Sequence, residues 1–302
     1  MPEARSREGI LVLTGATASG KTELAIDLAR RFDAEIVGAD SRQIYRGMPI
    51  GTALPKSEQL AAVPHHCVNF LDPVRRYSAA RYVHDALAAI ESIRARGKRA
   101  IVSGGTGFYL RALAGEVALA PQYDETLRRR LAAEATVHSH EFLHEWLSLR
   151  DPRRAAQLHP GDAYRVLRAL EIALASPQGA PGAAARTLAT EKIPRLTVFL
   201  DVALGELDER IERRTDRMLA DGLVEEAERI GETAVAASAV GYPQALAFRR
   251  GWATGDELRA SLARATRRYA RRQRAWFRGE RDVAWLAPEA VADAVRENLG
   301  WS

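Results

Sequence analysis

Lys21 and Thr22 close the run Gly15-Ala16-Thr17-Ala18-Ser19-Gly20-Lys21-Thr22, which meets every fixed position of the phosphate-binding pattern G-x-x-x-x-G-K-[ST]. A cation, a hydroxyl and glycine-rich backbone at that spacing suit the cradling of a phosphate or diphosphate. Gly15 and Gly20 permit close approach that a side chain would block. Lys21 brings a mobile cation, and the Thr22 hydroxyl is placed to ligate Mg²⁺ beside the phosphates. Asp40 and Thr106 qualify next, because each follows a short apolar run in a turn. Asp40 there would hold Mg²⁺ through water, act as a general base, or cap the turn after it. Thr106 would touch substrate or cap the next helix. A phosphate loop says what is held, not what is done to it.

The elements that must position these residues are legible in the hydrophobic pattern. Ile10 to Leu13 reads as a buried strand, and Glu23 to Phe32 as the helix leaving the loop. Such a junction aims backbone N–H groups and the positive end of the helix dipole at one point. Glu35 to Ala39 and Arg99 to Ser103 are further strands, so Asp40 and Thr106 fall at carboxyl ends, where an open α/β sheet binds its ligand. Ser78 is an N-cap for a long helix that Gly97 ends. Tyr45 to Pro55 reads as an irregular loop. From Gln122 the pattern turns wholly helical, with helices predicted over Asp124 to Ala135, Ser139 to Leu149 and Asp162 to Ala175. Ser176 to Ala185 is a flexible loop by composition, and Arg195 to Val202 returns to strand. The expectation is an α/β fold of the phosphate-loop NTPase type, a parallel sheet flanked by helices. The core spans 1–120 and 195–302, and an all-helical insert spans 121–194.

Composition narrows the class. Over 302 residues, 47% hydrophobic and 27% charged content describes a globular chain with a sizeable core. The single cysteine, Cys67, excludes an internal disulfide framework. Pro64-His65-His66-Cys67 lacks the second ligand cluster that a tetrahedral Zn²⁺ site needs. The polar stretch Met1 to Glu8 has no apolar signal core and no apolar run reaches membrane-spanning length, so the expectation is a cytoplasmic protein. The formal charge is only +5, yet Arg264 to Arg278 holds seven arginines and no acid. Arg267, Arg271, Arg274 and Arg278 recur at helical spacing as one stripe. A solvated helical face normally alternates its signs, so this one points to a polyanion such as a nucleic acid.

Taken together, seven stretches resemble the tRNA dimethylallyltransferase family, in family order across nearly the whole chain. They are GATASGKT (15–22), ADSRQIYRGMPIGTALP (39–55), YSAARYVHDA (77–86), GGTGFYLRAL (104–113), HPGDAYRVLRALEI (159–172), RIERRTDRML (210–219) and ATRRYARRQRAWFRG (265–279). The combination of DS-x-Q-[IV]-Y and GGT-x-x-Y with this phosphate loop is specific. Two positions depart from the pattern: Ala16 replaces a usual proline, and Pro243 follows Val240-Gly241-Tyr242 where some members carry arginines.

The resemblance implies transfer of a dimethylallyl group from dimethylallyl diphosphate to the N6 amine of the adenosine 3′-adjacent to the anticodon. The phosphate loop would hold the diphosphate, with Thr22 on Mg²⁺. Asp40 matches the family's general base, Thr106 its partner near the amine, and Arg214 an arginine that neutralises the pyrophosphate. Asp40, Ser41, Arg42, Gln43, Thr106, Arg128, Tyr164, Arg165, Val166, Leu167 and Arg168 lie where the family contacts the tRNA anticodon stem-loop, and the arginine stripe adds to that surface. The expectation is a monomer away from any membrane. The rivals are an adenylate isopentenyltransferase using free AMP or ADP, which needs neither the basic face nor the insert, and a small-molecule kinase. A non-enzymatic RNA-binding protein would leave Lys21 and Asp40 idle.

Overall fold

The computed structural model describes residues 9–117, 119, 124–175 and 186–302. The loop expected over 176–185 and the polar stretch 1–8 lie outside the described residues. In chain order the elements are β1 (Ile10–Gly15), α1 (Lys21–Arg31), β2 (Ala34–Gly38), α2 (Ser57–Ala62), β3 (His65–His66), α3 (Ala79–Ala95), β4 (Arg99–Ser103) and α4 (Gly107–Ala114). The helical segment holds α5 (Glu125–Val137), α6 (His140–Arg150), α7 (Pro152–Ala155) and α8 (Ala163–Ala175). After it come β5 (Arg195–Leu200), α9 (Leu204–Ala220), α10 (Leu223–Ile230), α11 (Tyr242–Arg249), α12 (Gly255–Arg278), β6 (Val283–Leu286) and α13 (Val291–Leu299). None of the described helices is long and apolar enough to cross a membrane.

All six strands run parallel in the order β3-β2-β4-β1-β5-β6. This is a phosphate-loop NTPase-like sheet flanked by helices. Its inner strands are nearly continuous apolar runs, as a sheet covered on both faces requires. Leu11, Leu13, Ile36, Ile101 and Val198 pack against Ala25, Ile26, Leu28 and Phe32 of α1 and its end, and Val295 and Trp301 close the same core. The register brings the strand ends level. Ser103 pairs with both Leu13 and Gly38, so the turns leaving β1, β2 and β4 emerge side by side.

The chain divides into two compact units, 1–116 with 186–302, and 117–185. The insert boundary expected at 194 therefore moves to 185. Leu188 and Ile193 are buried, Leu188 N–H donates to Leu113 O at 2.8 Å, and Ile10 N–H donates to Pro194 O at 3.0 Å. Residues 186–194 thus pack into the sheet-bearing unit. The helical unit has its own small core of Leu131, Leu143, Leu147, Val166 and Leu170. Asp124 and Ser139, given as the first residues of the predicted helices, are their N-caps: Asp124 accepts from the amides of Thr126 and Leu127, and Ser139 from that of Phe142.

Candidate active site at the carboxyl ends of the strands

The phosphate loop leaves β1 through two left-handed residues, Ala18 (φ 65) and Gly20 (φ 87). Gly20 then caps α1, so the first helical N–H groups point out of the turn. Two loop amides are used internally: Ser19 N–H donates to Ala16 O at 3.1 Å, and Thr17 N–H to Gln273 Oε1 at 2.8 Å. The amides of Ala18, Gly20, Lys21 and Thr22 make no hydrogen bond among the described residues, which suits anion capture. Ala16 and Thr17 are buried, so their side chains are inner packing and not part of the phosphate surface. Arg210 braces the loop from α9, its guanidinium donating to Ser19 O at 2.9 Å.

Charge converges on this loop. Burial lowers the Lys21 pKa to about 8, Asp40 opposing that shift and Arg214 adding to it. Arg214, on the same face of α9, is also lowered, chiefly by burial, against the pull of Asp40 and Glu23. Its Nε is buried without a hydrogen-bond partner. Two cations are thus held together in a partly dry place, a state that an incoming polyanion relieves. Tyr269 of α12 faces the same carboxylate: burial and then Asp40 raise its pKa.

Of the roles expected of Asp40, the structure shows the turn cap. Its Oδ1 accepts from Arg42 N–H at 2.8 Å and Gln43 N–H at 3.4 Å, closing an Asx turn. That fixes the carboxylate and leaves Oδ2 for a ligand. Thr106 occupies the N-cap position of α4, yet its hydroxyl does not cap the helix. Thr106 Oγ1 accepts from Ser41 N–H at 2.9 Å instead, tying the β4 turn to the β2 turn. Gly104 allows this closeness, since a Cβ there would lie 2.3 Å from the backbone of Ala39.

Gln43 is oriented from further away. Its Nε2 donates to Thr52 O at 3.1 Å and Ala53 O at 2.9 Å, which commits the amide and leaves Oε1 as an acceptor. The loop carrying those carbonyls is pinned by buried Glu226, which accepts from Ile50 N–H at 2.9 Å, Gly51 N–H at 2.8 Å and Tyr242 Oη at 2.7 Å. Sequence reasoning missed Glu226, Arg210 and Gln273. For Gln273 a signal was present, because it lies on the apolar stripe of α12 with Leu262, Thr266, Ala270 and Phe277.

The arginine stripe is corrected in part. Acids absent from α12 itself are supplied by its neighbours. Arg267 pairs with Glu212 and with Asp208. Arg274 pairs with Asp201 at 2.9 Å, donates to Val202 O at 3.1 Å, and lies over Trp285 with Arg278. The exposed basic surface is instead Arg264, Arg268, Arg271, Arg272 and Arg278. In the helical unit, Arg128 and Arg168 both pair with Glu171, which is 2% exposed. Val166 is 1% exposed and Leu167 packs on the same core, so neither presents a surface to RNA. Tyr164 and Arg165 are exposed.

As to metals, no cluster of His, Cys, Asp and Glu able to hold an ion occurs among the described residues. His66 pairs with buried Glu35, and burial raises the Cys67 thiol pKa to about 12. Mg²⁺ asks for less, since it binds through one or two protein oxygens, waters and phosphate oxygens. The Thr22 hydroxyl, with Asp40 near the same loop, is a donor set of that kind.

A model of the IPP transferase family matches residues 43–280. The chain belongs to the IPP transferase family. Two members are named tRNA dimethylallyltransferase: one from Anaeromyxobacter dehalogenans is 43% identical over 96% of this chain and 98% of its own, one from Alkalilimnicola ehrlichii 41% over 96% and 94%. The solved tRNA isopentenylpyrophosphate transferase of Bacillus halodurans superposes with a TM-score of 0.70 at 32% identity, covering 97% of each chain. A eukaryotic dimethylallyltransferase shares the fold, with a TM-score of 0.73 at 24% identity. The matched segment of this IPP transferase family member begins at Gln43, after the phosphate loop and Asp40.

Proposed function

We propose that the chain transfers a dimethylallyl group from dimethylallyl diphosphate to the N6 amine of the adenosine 3′-adjacent to the anticodon of a tRNA, releasing pyrophosphate. The observation that carries this reading is the convergence of Asp40 with Lys21 and Arg214 at the mouth of a phosphate loop. A kinase can share both the cations and a catalytic carboxylate; the relatives named tRNA dimethylallyltransferase favour prenyl transfer over it. A nucleophilic amine also needs somewhere to put its proton, and Asp40 Oδ2 is the oxygen not used by the turn.

The C1–O bond of the donor breaks with its electron pair staying on the diphosphate, and a bond forms between C1 and N6. The N6 proton passes to Asp40, a general-base contribution of about 10²–10⁴-fold. Lys21, Arg214 and the loop amides of Gly20, Lys21 and Thr22 receive the charge growing on the leaving group. Thr22 is the residue that would hold Mg²⁺, which would supply further charge neutralisation. Thr106, joined to Ser41, lies beside Asp40 to orient the amine. The base must leave its stack, which costs a few kcal/mol and is least costly in a single-stranded loop. Exposed Arg264, Arg268, Arg271 and Arg272 of α12, and Tyr164 and Arg165 on the helical unit, supply backbone and stacking contacts to RNA. They argue against free AMP or ADP as acceptor. In this reading the chain works as a monomer in the cytoplasm, where its RNA substrate resides.

The test is incubation with labelled dimethylallyl diphosphate plus tRNA, AMP, ADP or ATP in parallel, followed by mass analysis of digested nucleosides. Label on adenosine next to the anticodon is the expected outcome. Label on free nucleotide, or phosphate transfer from ATP, would reject the reading.

A further inference from the structure

Gln273 is 5% exposed, sits on α12, and is 256 residues from the backbone amide it serves. Its Oε1 accepts from Thr17 N–H at 2.8 Å in the phosphate loop, and its Nε2 donates to Gly105 O at 3.0 Å, one residue before Thr106. A single primary amide therefore joins the turn that faces the donor to the turn that faces the acceptor. The fit is close on the far side. A Cβ at Gly105 would lie 2.2 Å from Gln273 Nε2, and one at Gly107 would lie 2.3 Å from the indole nitrogen of Trp276. The glycines of the Gly104-Gly105-Thr106-Gly107 turn thus receive Gln273 and Trp276, one helical turn apart on α12.

Resting on the transfer reaction proposed above, we infer that Gln273 is a positioning residue for that reaction. It sets the separation between the phosphate loop, which fixes the electrophilic carbon, and the Thr106 turn, which fixes the amine. Both substrates are bound by other groups: the donor by Lys21, Arg214 and free loop amides, the RNA by exposed arginines. Gln273 touches neither. Its amide acts on the distance between them, and a displacement of about 1 Å at a reacting centre can cost about 10²-fold in rate. Glutamine suits the place because it satisfies a buried N–H and a buried C=O at once, where a carboxylate would accept only and an ammonium would donate only.

The experiment compares wild type, Gln273→Met, Gly105→Ala and the double variant. Methionine keeps the length of the side chain and removes both hydrogen bonds. Alanine at 105 keeps the amide and pushes it away. Single-turnover transfer is measured with both substrates saturating, alongside dissociation constants for pyrophosphate and for tRNA and the melting temperature of each variant. Each single variant is expected to lose roughly tenfold to a hundredfold in the chemical step, with both dissociation constants within about threefold of wild type. The double variant is expected to be no slower than the slower single variant, because the two changes break one bridge. Hydrogen exchange of the 14–22 segment should quicken in Gln273→Met.

A wild-type rate in Gln273→Met, a loss confined to affinity, or multiplicative losses in the double variant would overturn the assignment. So would a lowered melting temperature accompanied by a normal rate below the transition, which is the mark of a purely structural role. Absence of transfer by the wild type would overturn the proposed function, whereas unchanged exchange in the 14–22 segment would overturn the bridge itself.

Discussion

The strand-end crevice and the helical unit are built on opposite plans. In the crevice almost every group is set by a partner far away in sequence: Thr17 by Gln273, Ser41 by Thr106, Ile50 and Gly51 by Glu226. The side chains that make these long-range ties, Gln273 and Glu226 above all, are buried with their hydrogen bonds satisfied, which fixes one arrangement. The helical unit is held by a short apolar core and local caps, with buried Glu171 gathering the part-exposed Arg128 and Arg168. The difference teaches which part must be exact. In the proposed reading, the chemistry belongs to the interlocked unit, while the simpler one adds Tyr164 and Arg165 to an RNA surface that α12 also supplies.

The largest effect should come from Asp40→Asn, which keeps the Asx turn but accepts no proton. The rate of the transfer step should fall about 10²–10⁴-fold in single-turnover assays. Retention of tRNA affinity distinguishes a base from a docking residue, and an unaltered rate would reduce Asp40 to a cap.

Lys21→Met should cost about 10²–10³-fold in transfer by removing one preorganised cation. Its pH behaviour sharpens the point. Lys21 in the free protein is charged below about pH 8 and neutral above it. Pyrophosphate affinity should therefore weaken as pH rises through that value in the wild type, and titration calorimetry on Lys21→Met should show weak binding without that fall.

Two carboxylate deletions set the regions directly against each other. Glu226→Leu strands the half-buried Ile50 and Gly51 amides and the buried Tyr242 hydroxyl, an unsatisfied buried group costing about 1–3 kcal/mol. Glu171→Leu affects arginine side chains that are 21% and 18% exposed and reach solvent. Chemical denaturation should show the larger loss for Glu226→Leu. Equal losses would mean that the helical unit is as tightly determined as the crevice.

The smallest effect concerns the basic helix. Arg271→Ala should lower the salt slope of tRNA binding by about 0.7–0.9, the value for one lost phosphate contact. Arg267→Ala should leave the slope intact, because that guanidinium already serves Glu212 and Asp208. A reversal of the two outcomes would return the RNA footprint to the stripe first read from spacing.

Much of this was legible in the sequence wherever the determinant is local. The phosphate loop, the strand ends that place Asp40 and Thr106, the N-cap Ser78, and the helix starts at Asp124 and Ser139 all follow from patterns a few residues long. Where two distant segments meet, local pattern fails. The acids that neutralise Arg267 and Arg274 belong to other elements, so an acid-free helix looked more available than it is. Val166 and Leu167 share one stretch with polar neighbours, yet helical periodicity turns them inward. Strands β3 and β6 escaped notice because they are short and only half-buried.

The chain leaves the sheet-bearing unit at 116 and re-enters it at 186 through neighbouring points, since Leu113 O receives Leu188 N–H and Glu116 meets Arg195 at 2.6 Å. In engineering terms the helical segment is a cassette with abutting splice points. Its excision and replacement by a few Gly-Ser residues would close a small gap, at little entropic cost for so short a loop. The trimmed chain should keep its pyrophosphate site and the arginines of α12 while losing the contacts proposed for Tyr164 and Arg165, and a foreign helical module could be spliced into the same seam.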